Sequence, residues 1–192
     1  MIPITLASGS RYRRELLSRL GLPFECANPN IDETALPNEP PEALVARLAE
    51  AKARAVALRQ PAGLLIASDQ VASLGNNILT KPGNFSNACR QLQECSGQFV
   101  IFYTGLALLN SGDNRLQLAV ETTEVKFRRL SDAQIHRYVE REQPYDCAGS
   151  FKVEGLGISL FETIHGDDPN SLIGLPLIRL VDMLANEGVV VP

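Results

Sequence analysis

Residues 64–67 read Leu-Leu-Ile-Ala, an unbroken apolar run that starts after Gly63 and ends at Ser68-Asp69-Gln70. Side chains of a strand point alternately to opposite faces, so a run that is apolar at every position fits a strand buried on both sides. A strand of that kind requires covering layers above and below the sheet, and the remaining chain must provide them as amphipathic helices.

The chain does provide them. Pro40-Pro41 opens a stretch in which Leu44, Val45, Leu48, Ala51, Ala55 and Leu58 recur at helical spacing, while Arg47, Glu50, Lys52 and Arg54 fall largely on the remaining surface. Ser86 to Cys95, Ala133 to Arg141 behind Ser131-Asp132, and Pro176 to Asn186 before Gly188 read as further helices. Short strands are expected at residues 2–6 and 24–27, with a hairpin turn at Gly75-Asn76-Asn77. Phe99 to Leu109 and Leu116 to Phe127 are rich in β-branched and aromatic residues, and Asn110 to Asn114 between them predicts a long antiparallel pair. The layout is α/β. The 192 residues are expected to form a single domain over 1–192, with one core or a core divided between two lobes by a cleft.

A phosphate site is suggested at the first strand-to-helix junction, where Leu6 to Arg14 read L-A-S-G-S-R-Y-R-R ahead of a helix expected from Glu15 to Leu20. Such a junction directs backbone N–H groups and the positive helix end outward, and small residues let an anion approach. Ser8 and Ser10 add donors, and Arg11, Arg13 and Arg14 add charge and forked hydrogen bonds. The spacing of a Walker loop is absent. The alternative is a serine-capped helix with a solvated basic face.

Composition narrows the partners. A net charge of −4 argues against general nucleic-acid binding. Neither a signal-peptide pattern nor an apolar run of membrane-spanning length is present, so a soluble cytoplasmic protein is expected. Cys26, Cys89, Cys95 and Cys147 form no C-x-x-C pair, and His136 and His165 stand in no zinc spacing. Reduced, mostly buried thiols are expected, with His165 in a loop or turn.

Several charges lie beside strand ends or turns: Asp32-Glu33, Asp69 at the end of its apolar strand, Lys81 before Pro82-Gly83, and Lys152 and Glu154 flanking Val153. Open α/β sheets place ligands at the carboxyl ends of strands. With a polyphosphate in the serine turn, Glu33 and Asp69 would share a divalent cation while Arg13, Lys52 and Lys81 neutralise the remaining charge. Magnesium suits such an oxygen-rich set better than zinc. The competing readings are structural: Asp69 satisfying turn N–H groups, Glu33 capping the next segment, Lys52 solvated on its helix, and Lys152 and Glu154 forming a charged rim.

Over nearly its full length the chain resembles the Maf family of nucleotide pyrophosphatases. The resemblance is carried by L-A-S-x-S-x-x-R at Leu6 to Arg13, D-E at Asp32-Glu33, S-D at Ser68-Asp69, K-P at Lys81-Pro82 and T-G at Thr104-Gly105. It implies the fold of the inosine triphosphate pyrophosphatases, an elongated mixed sheet with flanking helices and a deep cleft between two lobes. It also implies metal-dependent hydrolysis of a nucleoside triphosphate to the monophosphate and pyrophosphate, with Mg2+ or Mn2+. By the same resemblance Asp69 is the proton acceptor, Glu33, Lys52 and Lys81 serve catalysis, Glu33 and Asp69 hold the metal, and Ser8, Ser10 and Arg13 bind phosphate. Family members often form dimers, which makes a homodimer an expectation. Arg11 stands where the family usually has proline, and the frequent S-G-x-x-H element is here Ser96-Gly97-Gln98-Phe99-Val100.

Tyr12, Gln70 and Glu154, with the segment F-K-V-E-G, resemble the branch acting on 7-methyl-GTP; the dTTP and UTP branch carries Arg, Thr and Gln at these positions. N7-methylation makes guanine cationic. A carboxylate at Glu154 would attract that ring and accept hydrogen bonds from its N1–H and amino group, and the Tyr12 face would add roughly 0.5 to 2 kcal/mol. Two other functions stay open: the pyrimidine-triphosphate enzyme of the same family, and a nucleotide-binding regulator of cell division without required turnover.

Overall fold

A computed structural model describes residues 2–60 and 62–191. Its elements in chain order are β1 (Ile4–Leu6), α1 (Arg11–Ser18), β2 (Glu25–Cys26), α2 (Pro41–Ala57), β3 (Leu64–Leu74), β4 (Asn77–Leu79), α3 (Phe85–Cys95), β5 (Phe99–Asn110), β6 (Arg115–Phe127), α4 (Asp132–Glu142), β7 (Phe161–His165) and α5 (Leu177–Asn186), with short 3-10 turns at 148–150, 156–160 and 171–173. The seven strands form one mixed sheet in the order β2-β1-β3-β5-β6-β7, with β4 hydrogen-bonded to β3. β1 runs parallel to both β2 and β3, whereas β4 and β7 pair antiparallel to β3 and β6.

The chain divides into two compact units: residues 1–69, 104–121 and 168–192, and residues 70–103 and 122–167. In the first unit, alternation along the strands sorts the core into two clusters. Leu64, Ile66, Leu106 and Leu108 pack with Leu16 and Leu17 of α1 and with Leu180, Met183 and Leu184 of α5. Leu65, Ala67, Ala107 and Leu109 pack with Ala49, Ala53 and Val56 of α2. The apolar run at 64–67 is therefore covered on both faces, as its composition requires. The second unit centres on Phe102, Phe127, Phe151 and Phe161, whose rings meet edge to face, with the Phe151 and Phe161 centroids 4.7 Å apart.

Helix boundaries follow local chemistry. Ser10 caps α1, its Oγ accepting the Arg13 N–H, so the helix begins at Arg11 rather than at Glu15. Ser131 and Gln134 form a reciprocal capping box at the start of α4. Gly105 is fixed by proximity: a Cβ there would stand 2.3 Å from the Val45 carbonyl oxygen, so only glycine allows α2 to lie this close to β5.

Four other expectations need correction. β3 continues unbroken to Leu74, which places Asp69 inside a strand instead of at its end. Lys52 lies in the buried stripe of α2 with Leu48, Ala49, Ala53 and Val56 and is not on the solvated face. His165 ends β7, a strand with one buried residue, Phe161, and no alternation to betray it. All four cysteines are free thiols, but Cys26 is exposed on the short strand β2. No helix among the described residues is long and apolar enough to cross a membrane.

Candidate active site

An uncompensated lysine in an apolar helix stripe would be expelled, because burying a lone charge costs several kcal/mol. Lys52 stays because two carboxylates meet it. Its Nζ donates to Asp69 Oδ1 at 2.5 Å and lies 2.7 Å from Glu33 Oε1. Lys52 and Asp69 are 4 % and 6 % exposed, whereas the Glu33 side chain, on the loop before α2, is 53 % exposed. The compensation also explains the uninterrupted strand. Asp69 can remain in the ladder because α2 brings an ammonium to it, and its neighbour Ser68, fully buried, donates its Oγ to the Gly174 carbonyl at 2.9 Å.

Two features set the position of Lys52. Gly105 admits the backbone of α2 at Val45, and Lys52 follows two helical turns later on the same face.

Arg13 comes from the first turn of α1 and is partly buried. Burial draws its guanidinium pKa down, and the carboxylates of Asp69 and Glu33 oppose that shift. Its Nε donates to the Gly174 carbonyl at 2.9 Å. Ser8 is buried and accepts the Ser10 N–H on its Oγ at 3.1 Å, so the two serines shape the turn between β1 and α1. Arg13, Lys52, Glu33 and Asp69 thus form a set of two cations and two anions. Tyr12 is half-buried, and Arg11 packs its guanidinium over the Tyr12 ring and donates to the phenolic oxygen at 2.8 Å.

The remaining expected site residues belong to the second unit. Gln70 is half-buried on β3, Lys81 is exposed between β4 and α3, and Glu154 is exposed in the turn that follows Lys152. That turn is held from its own unit: the Lys152 N–H donates to the Tyr138 hydroxyl at 3.0 Å, and Lys152 Nζ donates to the Glu142 carbonyl at 2.9 Å.

Sequence reasoning did not assign roles to Ser68, Gly174 or the Asp168 turn. For Gly174 and the Asp168 turn the signal is the string D-P-N-S-L-I-G-L-P, whose Asp, Asn and Gly mark a constrained turn without revealing which distant side chains end on it. Among the described residues no cluster of three or more His, Cys, Asp or Glu stands ready for a metal. Glu33 and Asp69 are a two-carboxylate oxygen set. That suits Mg2+ or Mn2+ taken up together with substrate phosphates, since Mg2+ is commonly held by one or two carboxylates plus phosphate oxygens.

These features define a mixed α/β protein with a buried lysine–carboxylate centre beside a serine-lined strand–helix turn. The chain belongs to the Maf family: the family described as "Maf: Maf-like protein" matches residues 3–187. A "7-methyl-GTP pyrophosphatase" of Pseudomonas putida is 60% identical over 192 residues, covering 100% of both chains. A "7-methyl-GTP pyrophosphatase" of Nitrosococcus oceani is 57% identical over 185 residues, covering 96% of this chain and 93% of its own. Among solved structures, the Staphylococcus aureus Ham1 protein shares the fold with a TM-score of 0.50 at 14% identity, covering 96% of this chain and 99% of that one.

Proposed function

We propose that this protein is a cytoplasmic nucleoside triphosphate pyrophosphatase that hydrolyses 7-methyl-GTP to 7-methyl-GMP and pyrophosphate, removing a modified nucleotide from the pool. The observation that carries the reaction is the Asp69–Lys52–Glu33 centre, with Arg13 drawn to the same carboxylates. The substrate rests on full-length likeness to relatives bearing that activity in their names.

In this reading Ser8, Ser10, Arg13, Lys52 and Lys81 bind the triphosphate, with guanidinium and ammonium groups matched to phosphate oxygens. Asp69 accepts a proton from water as the water oxygen bonds to the α-phosphorus. The bond from that phosphorus to the bridging oxygen breaks, and its electron pair leaves with pyrophosphate. A divalent cation held by Glu33 and Asp69 would supply Lewis-acid stabilisation of phosphoryl oxygens. Tyr12, Gln70 and Glu154 select the base, with Glu154 answering the positive charge of the methylated ring.

The test is pyrophosphate release from 7-methyl-GTP, GTP, dTTP, UTP and CTP, with Mg2+ or Mn2+ and with chelator. Metal-dependent preference for 7-methyl-GTP, shifted toward unmethylated nucleotides by Glu154→Gln, is the expected result. Preference for dTTP and UTP would overturn the substrate, and no cleavage of any nucleotide would overturn the reaction.

A further inference from the structure

The segment from Asp168 to Gly174 takes no part in the chemistry just described, yet side chains from three elements end on its backbone and side chains. Arg13 Nε of α1 and Ser68 Oγ of β3 both donate to the Gly174 carbonyl, each at 2.9 Å. Thr104 Oγ1 of β5 donates to the Ser171 carbonyl at 2.9 Å, and Arg19 at the end of α1 donates to Asn170 Oδ1 at 3.0 Å. The turn is itself pinned. Asp168 is 3 % exposed; its Oδ1 accepts the Asn170 N–H at 2.8 Å and the Asn170 Nδ2 at 2.9 Å, and its Oδ2 accepts the Ile178 N–H of α5 at 2.6 Å. Gly174 has φ +124, a conformation L residues rarely adopt.

The chemistry of the acceptor matters. A carboxylate in place of the Gly174 oxygen would add a hydrogen-bonded anion to the two carboxylates, those of Asp69 and Glu33, that already act on Arg13, and would compete with phosphate for it, whereas a carbonyl fixes the guanidinium through Nε without adding negative charge. No acceptor among the described residues takes the Arg13 Nη hydrogens. Two coplanar donors on a pre-oriented cation are what bidentate phosphate recognition needs, and orientation fixed before binding is not paid for during it.

We propose that the Asp168–Gly174 turn is the positioning element of Arg13, holding its guanidinium through the Gly174 carbonyl so that the Nη edge receives substrate phosphate. Asp168 acts through the turn and is a positioning residue. The proposal rests on the reading that Arg13 binds phosphate.

The experiment is a double-mutant cycle with Arg13→Gln and Asp168→Asn, read as the inhibition constant of inorganic tripolyphosphate alongside KM, kcat and Tm. Asp168→Asn keeps size but sets an NH2 group or a weaker acceptor against the Ile178 and Asn170 donors. Arg13→Gln is expected to raise the tripolyphosphate constant by roughly ten-fold or more, the loss of a charge-assisted hydrogen bond. Asp168→Asn is expected to raise that constant and KM several-fold with a smaller effect on kcat, and to have no further effect in the Arg13→Gln background, because coupled residues are non-additive. An unchanged constant in folded Asp168→Asn, or an equal rise with and without Arg13, overturns the positioning role alone. An unchanged constant in Arg13→Gln overturns the phosphate reading and the proposal with it. Should Asp168→Asn fail to fold, Ser68→Ala, which removes the second donor on the Gly174 carbonyl, enters the same cycle under the same criteria.

Discussion

Replacing Lys52 with methionine keeps the length and apolar stem of the side chain and removes only the ammonium. The loss falls mainly on Asp69, 6 % exposed and hydrogen-bonded to Lys52 at 2.5 Å. Removing one partner of a buried pair costs roughly 3–5 kcal/mol, because the other charge is left desolvated. Glu33, with its side chain 53 % exposed, regains water and adds little. The charge of Arg13 still acts on Asp69, which places the expected loss at the lower end, about 3 kcal/mol. In a chain of this size each kcal/mol moves Tm by roughly 2–4 °C, so the shift is roughly 6–12 °C. Thermal unfolding at pH 8 without nucleotide measures it, and Lys52→Met/Asp69→Asn should recover at least half of the loss by replacing the stranded charge with a neutral amide. A single variant within about 2 °C of wild type, or a double variant no better than the single one, would show that Lys52 does not compensate a buried Asp69 charge.

Three further outcomes are expected. Gly105→Ala puts a Cβ 2.3 Å from the Val45 carbonyl oxygen and displaces α2, so stability falls by about 1–3 kcal/mol and turnover falls with the position of Lys52; chemical denaturation and steady-state kinetics check both. The Glu187 carboxyl is held below its ordinary 4.5, first by the paired hydrogen bonds of Arg115 and then by Asn110 and Gln117. Its contribution is therefore present above pH 4.5 and lost as pH falls through the lower folded value, so urea midpoints of Glu187→Gln and wild type should differ most near neutrality and converge in acid. Burial pushes the Cys95 and Cys147 thiols up to about 12, and Cys89 is buried as well, so iodoacetamide at pH 8 should label exposed Cys26 first in the native protein and all four cysteines after unfolding.

The scaffold was legible where burial was continuous or regularly spaced. Leu64 to Ala67 predicted an interior strand, and both of its faces are covered. The helix from Pro41 is also evident in the sequence, but the charge of Lys52 suggests a surface position although positions 48, 49, 52, 53 and 56 share one buried face. The helical spacing puts Lys52 in the buried stripe, where a cation needs partners. Asp69 reads as a strand end in the sequence because the apolar run stops at Ser68; the partner that lets the strand continue lies 17 residues earlier, on a different element. β7 escaped notice because four of its five residues are not buried, so no alternation marks it. The Asp168 turn was recognised as a turn, but nothing local to it could show that Arg13 and Ser68 end on Gly174.

In the proposed reaction Asp69 takes the proton from the water that attacks the α-phosphorus of 7-methyl-GTP. Hydrolysis in H2 18O by wild type and Asp69→Asn, with nucleotide affinity measured in parallel, addresses it most directly. Wild type should place label in 7-methyl-GMP and none in pyrophosphate, and Asp69→Asn should lose most turnover while still binding nucleotide. Label in pyrophosphate, or near wild-type turnover by Asp69→Asn, would contradict that reaction.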